Sequence, residues 1–297
     1  MSPETDFTSR FTRASDGLRL HWRDYGPLAS TAMPIVCLPG LARTSADFHE
    51  VALAFAQDEA KPRRVLALDY RGRGLSDYDR DWKNYDIRVE LDDLMQVLVA
   101  SGTERAVFIG TSRGGLLTMA LATARPAVIK GAVLNDVGPV IDARGLLRIR
   151  GYVGKLPVPR SFPEGAEILK RLSDQHFPAL GEAEWEVMAR RTWTDRDGPL
   201  RPDYDIRLMK GLEALDLEAP LPVLWPYFDA LKAVPLLAIR GANSDLLAGE
   251  TLQAMAERHP DCETHTVAGQ GHAPLLGARD IIRRIGKLVA RAERLAG

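Results

Sequence analysis

Short apolar runs rich in β-branched residues recur at 34–38, 64–69, 107–109, 129–134 and 235–240. Each is too short for a helix and too uniformly apolar for a strand with one wet face, so these runs predict strands buried on both sides. A further strand is expected at 263–268. Between the runs lie segments of helical period. One spans 45–56, with Ser45 as its cap, and one spans 86–100, with Ile87, Leu91, Leu94 and Leu98 on one face and Asp92 and Asp93 on the other. A third opens with Leu116, Leu117, Met119 and Ala120, a fourth covers 249–259, and a last one carries Ile281, Ile282, Ile285, Leu288 and Val289. Ahead of them, 7–14 and 18–25 alternate polar and apolar residues around Ser15-Asp16-Gly17, the pattern of a hairpin.

Strand alternating with helix predicts an α/β fold, a mostly parallel sheet with helices on both faces. The rhythm stops between 140 and 233. Helical segments at 166–173 and 183–192 continue there with no strand pattern, alongside Trp185, Trp193, Trp225 and the proline-rich pieces Leu156-Pro157-Val158-Pro159 and Ala219-Pro220-Leu221-Pro222. This predicts a core formed by 1–139 and 234–297, with a helical cap, 140–233, inserted after the strand that ends near Asp136.

The 297 residues suffice for one large domain with such an insertion, and 45% hydrophobic with 27% charged residues is ordinary globular composition. A net charge of −1 gives no electrostatic case for nucleic acid or an anionic membrane, and neither is expected as a partner; a small-molecule substrate is expected from the serine chemistry around Ser112. Cys37 sits in an apolar run, and the two cysteines, Cys37 and Cys262, are too few for a disulfide framework or a cysteine metal site. No cofactor or metal is expected. The first residues lack a charged segment followed by an apolar one, and no apolar run is long enough to span a bilayer, so a cytoplasmic location is expected.

The candidate chemistry centres on Gly110-Thr111-Ser112-Arg113-Gly114, a G-x-S-x-G between a buried strand and a helix. So sharp a turn puts Ser112 in a strained conformation beside the first, unpartnered N–H groups of the helix, where an attacking serine is useful. A serine hydroxyl needs a base, usually a histidine held by a carboxylate. Of the six histidines, only His272 follows a strand within a glycine-rich loop, Gly269-Gln270-Gly271-His272. The order Ser, acid, His then points to Asp245, after the strand at 235–240, with Asp136 at the end of the preceding strand as the alternative. Backbone N–H groups of Arg113 and of Leu41, after Gly40, are the expected oxyanion donors. Phe48, His49 and Trp193 are candidate pocket residues. The loop Asp69-Tyr70-Arg71-Gly72-Arg73-Gly74-Leu75-Ser76-Asp77 lacks the Lys-Ser/Thr ending of a phosphate loop and reads as a structural turn.

Taken together, Leu38-Pro39-Gly40-Leu41, the loop from Asp69 to Ser76, the elbow, Gly241 to Asp245 and Gly271-His272 resemble the α/β-hydrolase superfamily over nearly the whole chain. The chain looks most like its capped members, which include enol-lactonases, carboxylesterases, carbon–carbon bond hydrolases and cofactor-free haloperoxidases. It departs from the many members with His-Gly at Pro39-Gly40. Its serine also disfavours the epoxide hydrolases and haloalkane dehalogenases, which use aspartate. The resemblance implies a serine hydrolase acting on a small ester or lactone. The alternatives are cleavage of a carbon–carbon bond in a ring-cleavage product, with Arg190, Arg191 and Trp193 holding a carboxylate, a haloperoxidase, or a ligand-binding protein on the same scaffold.

Overall fold

The apolar runs become the centre of an eight-stranded sheet. The computed structural model describes residues 6–196 and 198–296; residues 1–5, on which the reading of the N-terminus partly rests, lie outside them. In chain order the elements of the first half are β1 (Thr8–Arg13), β2 (Arg19–Tyr25), β3 (Ile35–Leu38), α1 (His49–Ala56), β4 (Val65–Asp69), α2 (Ile87–Ala100), β5 (Ala106–Thr111), α3 (Arg113–Ala124) and β6 (Ile129–Asn135). Then come α4 (Ala143–Tyr152), α5 (Phe162–Ser173), α6 (Glu182–Thr192), β7 (Trp193–Thr194), β8 (Arg201–Pro202), α7 (Met209–Glu213) and α8 (Trp225–Asp229). The chain closes with β9 (Leu236–Gly241), α9 (Gly249–Arg258), β10 (Cys262–Val267) and α10 (Arg279–Ala296).

The sheet order is β1-β2-β4-β3-β5-β6-β9-β10. The hairpin β1–β2 joins antiparallel to β4, and from β4 to β10 every pairing is parallel. Alternate residues of the central strands serve different layers. Val36 and Phe108 pack with Leu94 of α2, Leu117 of α3 and Met255 of α9, whereas Ile35, Cys37, Val107 and Ile109 pack with Phe55 of α1 and Ile285 of α10. Helices therefore cover both faces, and all parallel strands end at one edge, where loops can collect chemistry.

Three details differ from the sequence pattern. Thr44, not Ser45, caps the turn before α1, its side chain accepting from Ala46 N–H. Asp93 is buried rather than solvated, because the buried Arg71 guanidinium grips it with Nε–Oδ2 and Nη2–Oδ1 bonds of 2.6 Å each. Within 140–233, β7 and β8 form a two-stranded antiparallel ladder too short to leave an alternating pattern. That segment has its own apolar cluster around Trp185, Trp193, Leu169 and Phe177, and a second cluster joins its Ile149, Val153 and Tyr204 to Tyr85 and Leu246 of the sheet's loops. Among the described residues no helix is long and apolar enough to cross a membrane.

Candidate active site

Ser112 occupies the turn between β5 and α3 with φ 52° and ψ −113°, a left-handed conformation rare for a residue with a side chain. Two glycines permit it. A Cβ on Gly110 would stand 2.4 Å from Gly114 O, and one on Gly114 would stand 2.0 Å from Leu38 O. The turn is pinned by Ser112 N–H donating to Asn135 O at 2.9 Å.

His272, in the loop after β10, reaches this serine: its Nε2 is 3.0 Å from Ser112 Oγ. Its Nδ1 is 2.7 Å from Oδ2 of Asp136. Asp136 follows β6, has φ 55° and is fully buried. Its carboxylate also accepts from Gly241 N–H at 2.7 Å and from the Ser244 hydroxyl at 2.6 Å. A buried carboxylate so held is an acceptor in fixed position, which sets His272 Nδ1 as donor and leaves Nε2 to face the serine.

Asp245, the acid expected from sequence, is not His272's partner. It forms a two-pronged pair with Arg148 of α4, Nε to Oδ2 at 2.5 Å and Nη2 to Oδ1 at 2.9 Å. Burial opposes its charge, but the Arg148 guanidinium more than offsets this and holds the carboxyl below its ordinary value. The cause is the turn after β9. Ser244 N–H bonds Gly241 O at 2.9 Å, which sends the Ser244 side chain toward Asp136 and its neighbour Asp245 toward Arg148 of α4. Asp136, the alternative acid, occupies the place.

The loop after β3 lies against the elbow: a Cβ on Gly40 would sit 3.9 Å from Ser112 Cβ. The N–H groups of Leu41 and Arg113 thus belong to the two segments that flank the serine. A cavity of about 170 Å³ opens over Ser112 and His272, walled by Leu41, Phe48, Ile149, Val153, Leu156, Leu169 and Phe177 among others. Phe48 lines it as expected. His49 does not; its ring turns to Tyr25 Oη, 3.2 Å from Nδ1, and to Asp6. Trp193 does not either; it is only 1% exposed within the apolar cluster of 140–233. Of the two arginines considered for a substrate carboxylate, Arg191 lines the cavity and pairs with Glu50, while Arg190 is exposed and pairs with Glu186 at 2.7 Å.

The sequence reading missed several residues around the site. Two are Ser244, bonded to Asp136, and Arg148, bonded to Asp245. Asn135 Nδ2 donates to Pro274 O at 3.0 Å and to Thr111 Oγ1 at 3.1 Å, tying the His272 loop to the elbow strand. Its position next to Asp136 at a strand end was the available signal. Glu90, buried on α2, was hidden in a helical polar face, and nothing local marks it.

The family model described as the alpha/beta hydrolase family matches residues 35–284. The chain is 32% identical over 264 residues to the 3-hydroxybutyrate-oligomer hydrolase of Cupriavidus necator, covering 86% of this chain and 87% of that protein. It is 35% identical over 246 residues to the sn-1-specific diacylglycerol lipase ABHD11 of Mus musculus, covering 82% and 76%. Among solved structures, an alpha/beta hydrolase from Novosphingobium aromaticivorans superposes with a TM-score of 0.89 at 41% identity, over 97% of this chain and 99% of that one. The chain therefore belongs to the α/β-hydrolase family and is an enzyme, a hydrolase.

Proposed function

We propose that the enzyme cleaves short carboxylic esters, 3-hydroxyacyl esters among them, through an acyl-enzyme on Ser112. The observation that carries this reading is the continuous chain from Ser112 Oγ through His272 to Asp136, at 3.0 and 2.7 Å, beneath an apolar cavity. His272 Nε2 takes the hydroxyl proton as Ser112 attacks the carbonyl carbon, and Asp136 steadies the imidazolium that forms. The tetrahedral oxyanion accepts hydrogen bonds from the N–H groups of Leu41 and Arg113. His272 then hands its proton to the departing alkoxide, and a water activated by the same histidine releases the acid. A lactone is opened by the same steps.

Ester cleavage is favoured by the relatives. The two at 32% and 35% identity are named for 3-hydroxybutyrate oligomers and for diacylglycerol, both of them esters. The apolar wall contributed by Ile149, Val153, Leu156, Leu169 and Phe177 suits a short acyl chain. In this reading 140–233 is a cap that selects the substrate.

Turnover of p-nitrophenyl esters of graded acyl length and of a 3-hydroxybutyrate dimer tests the proposal. Wild type is expected to prefer short acyl groups and to release 3-hydroxybutyrate from the dimer. Ser112→Ala should lose at least about 10⁴-fold in kcat. Retained turnover in Ser112→Ala, or no turnover of any ester by wild type, would refute it.

A further inference from the structure

One buried carboxylate is linked to both segments that carry the proposed oxyanion donors, to one directly and to the other through an arginine. Glu90, on α2, is 0% exposed and gives one oxygen to each of two arginines. Its Oε2 accepts from Arg113 Nε at 2.5 Å, and its Oε1 accepts from Arg73 Nη1 at 2.8 Å. Arg113 is the residue after Ser112, and its Nη2 also donates to Tyr85 O at 3.2 Å. Arg73, itself 0% exposed, carries the link onward: its Nε donates to Leu41 O at 2.8 Å. The Arg73 guanidinium is further confined by the rings of Tyr70 and Tyr85, 5.7 and 5.5 Å away.

We infer that Glu90 is a positioning residue for the oxyanion site. Through Arg113 it fixes the first turn of α3, and through Arg73 it fixes the Leu41 loop, so that two N–H donors from different strand ends meet one oxygen. This rests on the reading of Leu41 and Arg113 as the oxyanion donors. Stability alone gives little reason for such an arrangement, because taking three charges out of water is costly and an apolar cluster of the same volume serves as well. What the ions add is direction. Two charge-assisted bonds from one carboxylate set the separation of the loops, and catalysis by fixed donors depends on that separation.

The sign of the effect separates positioning from simple electrostatics. Glu90, Arg73 and Arg113 together carry one net positive charge. Glu90→Gln raises this to two, which by charge alone stabilises an oxyanion better and speeds the reaction. Loss of positioning slows it.

The test uses Glu90→Gln and Arg113→Lys, the second keeping the charge and the backbone N–H but not the guanidinium bonds to Glu90 and Tyr85 O, with kinetics normalised to active sites titrated by a fluorophosphonate. Both variants are expected to lose roughly 10- to 100-fold in kcat on a p-nitrophenyl ester, with KM within about threefold. Affinity for a trifluoromethyl ketone, which forms the tetrahedral adduct, should fall by the same factor, while affinity for the product acid stays level. Should Glu90→Gln fail to fold, Arg113→Lys decides, since it leaves the net charge unchanged and that side chain is 16% exposed. A kcat per titrated site unchanged in the folded variants, or a faster Glu90→Gln, would overturn the inference. A wild type that binds the ketone no better than the acid would instead overturn the reading of the oxyanion site itself.

Discussion

Two Ser–His–Asp chains run through this molecule with nearly the same distances. In one, Ser112 Oγ, His272 and Asp136 are linked at 3.0 and 2.7 Å. In the other, Ser9 Oγ lies 3.1 Å from His21 Nε2, and His21 Nδ1 lies 2.7 Å from Asp69 Oδ2. Their surroundings differ. Ser9 sits on the exposed edge strand β1 and lines neither of the two described cavities, whereas Ser112 sits at a positive φ beside a helix N-terminus and under a cavity. His21 is 1% exposed with Phe11 against its ring at 4.9 Å. Asp69 also accepts from Ser45 N–H at 2.7 Å and Leu75 N–H at 3.1 Å, so it holds loops together. The hydrogen-bond chain orients a histidine in both places. Only Ser112 is lifted off its strand, at a helix N-terminus and under open space, which is the geometry the proposed attack requires.

The comparison is sharpest in its two aspartates. Asp136→Asn should lower kcat by roughly 10⁴-fold while the fold survives, because an amide no longer holds the histidine in the right tautomer. Asp69→Asn should instead cost about 2–3 kcal/mol of stability in urea unfolding, with kcat of the folded protein within about threefold. If Asp69→Asn abolished turnover without loss of stability, the two chains would not differ as described. Ser244→Ala removes one of the three contacts of the Asp136 carboxylate, and kcat should fall about tenfold, the size of one hydrogen bond to a charged group.

The smallest effect belongs to Asp245→Asn. Steady-state kinetics should show kcat within about twofold, and its partly buried pair with Arg148, each side chain 22% exposed, should be worth about 1 kcal/mol. Because the folded-state carboxyl lies below its ordinary value, this contribution is present above about pH 4 and is lost as pH falls through the folded value. Melting temperatures of wild type and variant should therefore differ slightly at pH 7 and converge in acid.

Much of the architecture was legible because it is local. Strands buried on both faces announce themselves as apolar runs, and the elbow compresses strand, turn and helix into one stretch around Ser112. His272 could be chosen for the same reason, standing in a glycine-rich loop after a strand. The carboxylate that partners His272 could not, because Asp136 and Asp245 both follow strands and both satisfy the order Ser, Asp, His. The choice is made by a single turn, in which Ser244 takes the inward place and Asp245 faces an arginine of α4. That arginine reaches it only once 140–233 has packed on the sheet. Glu90 and Asp93 are hidden likewise. A helical polar face reads as solvated until Arg71 and Arg73, from the loop after β4, and Arg113, from α3, are brought over it.

The central claim, that Ser112 attacks through a histidine oriented by Asp136, is tested most directly by fluorophosphonate inactivation of wild type, Asp136→Asn and Asp245→Asn, with the labelled peptide mapped by mass spectrometry. The account predicts a single adduct on Ser112, formed at the wild-type rate in Asp245→Asn and about 10³-fold or more slower in Asp136→Asn. Fast labelling of Asp136→Asn together with slow labelling of Asp245→Asn would contradict it, as would an adduct on any serine other than Ser112.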